Sequence, residues 1–185
     1  MVKCVAFDEL LSTFESMTRP DLQSVAPFYK GYVEYVKDLD MLEALVQSNK
    51  TTVDLIRSIP EEKGGYRYQP EKWSIKEVLC HMLDVERIFA YRALRFARND
   101  KTPLSGFEEN DYAPQANADS RTLVQLASEA ERLRATTIDL YKSFTPEMLQ
   151  RTGTANKAEL SVLNLGYIIA GHESHHRRIL KERYL

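Results

Sequence analysis

His172 and His176 are four residues apart in Gly171-His172-Glu173-Ser174-His175-His176-Arg177, slightly more than one turn of an α-helix. On a helix they share a face with Leu165, Ile168, Ile169 and Ile179, while His175 points elsewhere. An imidazole in an apolar stripe loses water from both ring nitrogens and needs other partners, and two such rings one turn apart are placed to share one metal ion. His81 falls on a face with Val78, Val85 and Ile88, again apolar. Three of the chain's 4 histidines therefore occupy inward positions on two helices. A lone histidine so placed is most often a satisfied core residue. Three that can face each other read as the ligands of one divalent ion.

Three neutral imidazoles leave a coordination position open, as in catalytic rather than closed structural sites. An ion there lowers the pKa of a bound water or thiol, or polarises a carbonyl. Zinc and nickel both suit imidazole, and affinity order alone does not choose between them. For proton transfer the candidate catalytic acids are Glu77, one turn before His81, and Asp84, three residues after it. Glu173 ranks lower, because adjacent helical residues diverge by about 100°. The plain reading of each acid is a solvated or ion-paired helix residue. The segment from His172 to His176 has the histidine spacing of the zincin motif, but no zincin-like sheet is expected, which argues against a protease. Cys80 beside His81 reads as a small buried thiol. Arg87, Arg92 and Arg95 bind an anion if they face a cavity and are otherwise helix-surface charges. Arg177 and Arg178 complement the negative end of their helix.

The elements that must position these residues are helical. Asp40 and Glu43 have the form of a capping box opening a helix that runs to about Ser58. Ser74 and Glu77 form a second box, with Trp73 and Val78 spaced as a hydrophobic staple, and the helix continues to about Asn99. Residues 101–118 carry Pro103, Gly106 and Pro114 and read as a long connection, either a cover for one end of the bundle or a crossover between helices that are not neighbours. Ser120 or Asp119 caps a third helix with Val124, Leu126, Leu133, Ile138, Leu140 and Tyr141 on its apolar face. Thr145-Pro146-Glu147 starts an extra turn, residues 151–159 are a polar return, and Ser161 caps the last helix, to about Glu182. Tyr29, Tyr32 and Tyr35 form an aromatic core edge or a pocket wall. A short amphipathic helix is expected over residues 5–17. No alternating β pattern stands out, so the fold class is an all-α four-helix bundle.

With 43% apolar residues in 185, the chain suits one substantial core. A formal charge of −2 gives no support for nucleic acid or an anionic membrane as partner, which leaves a small-molecule substrate. Cys4 and Cys80 do not make a disulfide framework and fit a reducing cytoplasm. No stretch approaches the roughly 18 apolar residues of a membrane span.

Trp73-Ser74-Ile75 leading to His81 and Asp84, Tyr91-Arg92-Ala93, the connection around Gly106-Phe107, and Ile169-Ala170-Gly171-His172-Glu173 with His175-His176 together resemble the DinB/YfiT superfamily. The match runs from about Tyr32 to the C-terminus, with separated segments in order. With residues 1–30, which have no clear counterpart in the family pattern, expected to pack on the bundle as an extension, the resemblance implies an up-down-down-up bundle over residues 31–185. It also implies a divalent metal on His81, His172 and His176, and a homodimer. Members resemble metal-dependent hydrolases, and relatives include transferases of low-molecular-weight thiols such as bacillithiol and a mycothiol-dependent isomerase. The expectations are therefore a hydrolase or thiol S-transferase with a thiol co-substrate, a metal-binding stress protein without catalysis, or a helical module whose histidines are structural.

Overall fold

A computed structural model describes residues 22–185, and the helix expected over residues 5–17 lies outside them. The chain begins with a short helix α1 (Pro27–Val33), followed by α2 (Met41–Ser58) and α3 (Ile75–Ala97). The long connection holds one turn, α4 (Glu109–Tyr112), before α5 (Leu123–Lys142) and the single turn α6 (Pro146–Leu149). A hairpin of β1 (Thr152–Ala155) and β2 (Ala158–Ser161) leads into α7 (Val162–Ile179), which ends in a π-helical turn, Leu180–Tyr184.

The four long helices, α2, α3, α5 and α7, form the bundle. α7 packs on α2 and α3, and α5 packs on the same two from the other side. Side-chain pairings set the directions. Cys80 lies beside Arg121 and Glu86 beside Thr137, so α3 and α5 run parallel. Asn49 meets Glu173 and Thr52 meets Arg177, so α2 and α7 run parallel as well. Arg134 reaches the Leu45 carbonyl and Asn49 the Ala130 carbonyl, so α2 and α5 are antiparallel. The order is up, down, down, up. Parallel neighbours explain the long connection: α3 has 23 residues, about 34 Å of helix, and the chain must return that length before α5 starts. The connection thus joins adjacent helices, so of its two readings the crossover between helices that are not neighbours does not hold.

Local chemistry explains most boundaries. The Ser74–Glu77 capping box is present, with Ser74 Oγ accepting the Glu77 amide at 3.2 Å and the Glu77 carboxylate accepting the Ser74 amide at 2.6 Å. Asp40 is at the N-cap of α2, but its side chain makes no capping bond, so the expected first box does not form. The cap of α5 is Thr122, in a box with Gln125, rather than Ser120 or Asp119, which lie in a separate 3₁₀ turn. This sets the face of α5 differently from expectation: Leu123 is 2% exposed and Val124 68%. The polar return after α6 is a hairpin, turned at Asn156 and Lys157 with φ of 48° and 63°. Two successive left-handed residues match the right-handed strand twist. Gly153 in β1 has Phe96 where a Cβ would stand. Leu104 adds backbone bonds to the hairpin, fixing the long connection to it at 2.9 and 3.0 Å.

α7 is the element around which the rest packs. Every residue from Val162 to Ser174 is buried, as expected of a helix covered on all sides. A further side is covered by α1, whose Tyr29 also meets Phe89 of α3 edge-on at 5.9 Å.

Candidate metal centre

His81 lies two turns into α3, in a register fixed by the Ser74 box, and His172 and His176 lie at the far end of α7, which the Ser161 hydroxyl caps at the Asn164 amide. Because α3 and α7 pack together, the three rings converge. The Nε2 of His172 is 3.1 Å from that of His81 and 3.1 Å from that of His176. All three potential ligand atoms lie within 4.8 Å of one another.

Neutral imidazoles alone do not satisfy this arrangement. A ring nitrogen carries either one proton or one lone pair, so His172 Nε2 accepts one hydrogen bond or donates its single proton, and does not do both for two neighbours. Three lone pairs facing a common cation remove the conflict. In a tetrahedral site with metal–nitrogen bonds near 2.05 Å, ligand nitrogens stand roughly 3.3 Å apart, close to the observed spacing. Burial also keeps the rings neutral: it holds His81 down to about 4. Burial, followed by repulsion from the neighbouring histidines, holds His172 and His176 well below the ordinary range. The donor set therefore fits a divalent ion.

The surroundings are aromatic. The Trp73 ring is 4.8 Å from His81, and the Tyr32 ring is 5.3 Å from His172 and 5.2 Å from His175. His175, turned away from the cluster's centre, also meets Tyr35 at 6.0 Å. Of the two readings of the tyrosine row, Tyr29 belongs to the core and Tyr32 and Tyr35 to the site's wall. Gly171 makes this possible, since a Cβ there would run into the Tyr32 backbone carbonyl.

No carboxylate joins the cluster among the described residues. Glu77 is engaged by the helix cap and by Arg67. Burial raises its carboxyl, but Arg67 and Ser74 outweigh this and hold it below the usual range, so it stays ionised. Asp84 is half-buried, raised by burial, and 3.6 Å from Arg87. Arg87 and Arg95 serve local pairs with Glu129 and Asp100. Arg92 is not a surface charge: it is 2% exposed, lies near the Phe89 and Phe107 rings, and donates to the Ser105 carbonyl at 3.0 Å. It ties the long connection to α3. Arg177 bonds the Ser48 carbonyl and Thr52 hydroxyl of α2 rather than its own helix end. Cys80 is buried beside Arg121, and burial raises its thiol.

Glu173 is buried and faces the bundle interior. Its Oε2 is 3.0 Å from Arg134 Nη1, and Asn49 donates to Oε1 at 3.2 Å. Arg134 also holds Glu86 through two bonds of 2.8 and 2.9 Å, and Thr137 donates to Glu86. This network was missed from the sequence, although Leu123, Leu126, Ala127, Ala130, Arg134, Thr137 and Tyr141 form one inward stripe with arginine in its middle. Beside it, under His172, lies a cavity of about 20 Å³ lined mainly by apolar side chains including Ile56, Leu79 and Met82. It has the size of a single water.

A bundle of this topology with three histidines on its second and fourth long helices defines a class. The family model of the DinB superfamily matches residues 44–180. The chain belongs to that superfamily. Among solved structures it is similar to one described as "YfiT from Bacillus subtilis is a probable metal-dependent hydrolase with an unusual four-helix bundle topology". The TM-score is 0.65 at 15% identity, covering 89% of this chain and 90% of that one. At that identity the likeness shows the fold. No curated protein matches the sequence.

Proposed function

We propose that the chain is a metal-dependent enzyme in which Nε2 of His81, His172 and His176 hold one divalent ion, zinc or nickel, and a small molecule takes the remaining position. The observation that carries this is the pair of 3.1 Å contacts at His172 Nε2, which neutral rings alone leave unsatisfied. The description of Bacillus subtilis YfiT as a probable metal-dependent hydrolase supports the same reading. Such an ion, when bound, supplies Lewis acidity that makes a coordinated water or thiol nucleophilic near neutral pH.

The protein's own residues supply position and protonation state. Burial delivers the three imidazoles unprotonated, ready to act as ligands. Arg177 on α2, and Arg134 on Glu173, fix the end of α7 that carries two of them. Within this reading the nucleophile is a thiol rather than water. Hydrolysis calls for a general base beside the attacking water. Yet among the described residues no carboxylate joins the cluster, and Glu77 is held in its cap. A thiol co-substrate needs only to be deprotonated and oriented. A low-molecular-weight-thiol S-transferase in the cytoplasm follows as the favoured activity, with hydrolysis second.

The test is metal analysis of the dialysed protein, followed by incubation of metal-loaded protein with monochlorobimane and a set of small thiols, beside a panel of esters and amides. One ion per chain and metal-dependent consumption of the bimane with one thiol support the proposal. Metal content unchanged in His172→Ala overturns the ligand set, and turnover confined to esters or amides overturns the transferase.

A further inference from the structure

Three neutral imidazoles leave both charges of a bound dication uncompensated in a largely buried place, where charge interactions are strong. Among the described residues no carboxylate joins the cluster to reduce that charge. The open position therefore favours an anion over a neutral ligand. Arg178, beside the Tyr35 ring at 5.4 Å, is paired with Glu182 at 3.6 Å.

The walls specify the body that carries the anion. Trp73 and Tyr32 are half-buried and Tyr35 is 39% exposed, whereas His81 and His172 are buried, so the rings stand on the solvent side of the cluster. Trp73 adjoins the α3 ligand His81, and Tyr32 adjoins the α7 ligand His172. Both sit on pinned backbone: the Trp73 carbonyl accepts the Tyr184 hydroxyl at 2.8 Å, and the Tyr32 backbone lies against Gly171. Preset rings gain contact with a planar apolar group at little ordering cost.

We propose that the His81–His172–His176 centre takes a monoanion, bound through oxygen or sulfur, that carries a flat apolar body packed on Trp73 and Tyr32. This rests on the metal reading, and one experiment separates their failures. The full chain is loaded with cobalt(II), and its visible absorption is followed during titration with benzoate, acetate and benzamide. Benzoate and acetate have the same charge and similar basicity, so their difference reports the wall. Benzamide has the ring without the charge.

Benzoate is expected to bind about tenfold more tightly than acetate, a gain of about 1.4 kcal/mol, and benzamide to leave the spectrum unchanged. In Trp73→Leu and Tyr32→Leu, which keep apolar bulk for folding, the benzoate advantage is expected to fall to within about threefold. Equal affinities for benzoate and acetate in the wild type, or an undiminished advantage in both variants, overturn the flat body. A response to benzamide equal to that of benzoate overturns the anion. Failure to retain cobalt overturns the metal reading itself, and the inference with it.

Discussion

His81 Nε2 faces His172 Nε2 at 3.1 Å across the α3–α7 contact, and burial holds both rings below the ordinary histidine range. Folding thus lowers both pKa values below the roughly 6.5 of an unfolded chain. A group lowered in this way binds more protons unfolded, so the metal-free protein keeps full stability above about pH 6.5 and loses it as pH falls towards the folded value, about 4 for His81. Urea midpoints of metal-free protein between pH 7 and pH 5 measure the loss. His81→Leu should flatten the slope, and an equal slope in the variant refutes the burial of a neutral His81.

These rings were legible in the sequence because helical spacing placed them in apolar stripes, and because the Ser74 box states where α3 starts. Other features were not. Thr122 won the α5 cap over Ser120 and Asp119, since those residues close their own 3₁₀ turn first, and that choice exchanged Leu123 for Val124 on the buried face. The hairpin turn uses Asn-Lys, without the glycine that marks such turns in sequence. Which reading of the tyrosine row holds, and that Trp73 joins the wall, depend on how α1 and the α3 entry dock, which periodicity within one helix does not report.

Arg134 is the next residue to remove. It is 2% exposed and neutralises Glu86 and Glu173, both buried, while also bonding the Leu45 carbonyl and Ser48. Arg134→Met leaves two carboxylates without their cation, and breaking such a buried pair from one side costs about 3–5 kcal/mol. The urea midpoint should fall accordingly. The triple change Arg134→Met, Glu86→Gln and Glu173→Gln should recover part of the loss, whereas a triple variant no more stable than the single one contradicts the electrostatic account.

Gly171→Ala tests how α1 is seated. The added methyl meets the Tyr32 backbone carbonyl, which has no side-chain freedom with which to yield, so α1 must shift away from α7. Overpacking of this kind costs about 1–3 kcal/mol. The Tyr32 ring moves with its backbone, so the tyrosine near-UV circular dichroism should change along with the midpoint. A variant as stable as wild type with an unchanged spectrum means that α1 does not sit against Gly171.

Ser74→Ala isolates the start of α3. It removes the hydroxyl that accepts the Glu77 amide and leaves the Glu77 carboxylate on the Ser74 amide and Arg67. Loss of such a cap costs about 1 kcal/mol, and the urea midpoint should fall without a change in m, because the surface exposed on unfolding is the same. His81 is two turns further on, in a helix gripped by α5 and α7, so metal stoichiometry should remain at one ion per chain. If Ser74→Ala loses metal while losing only this much stability, α3 owes its register at His81 to the cap rather than to packing along the bundle.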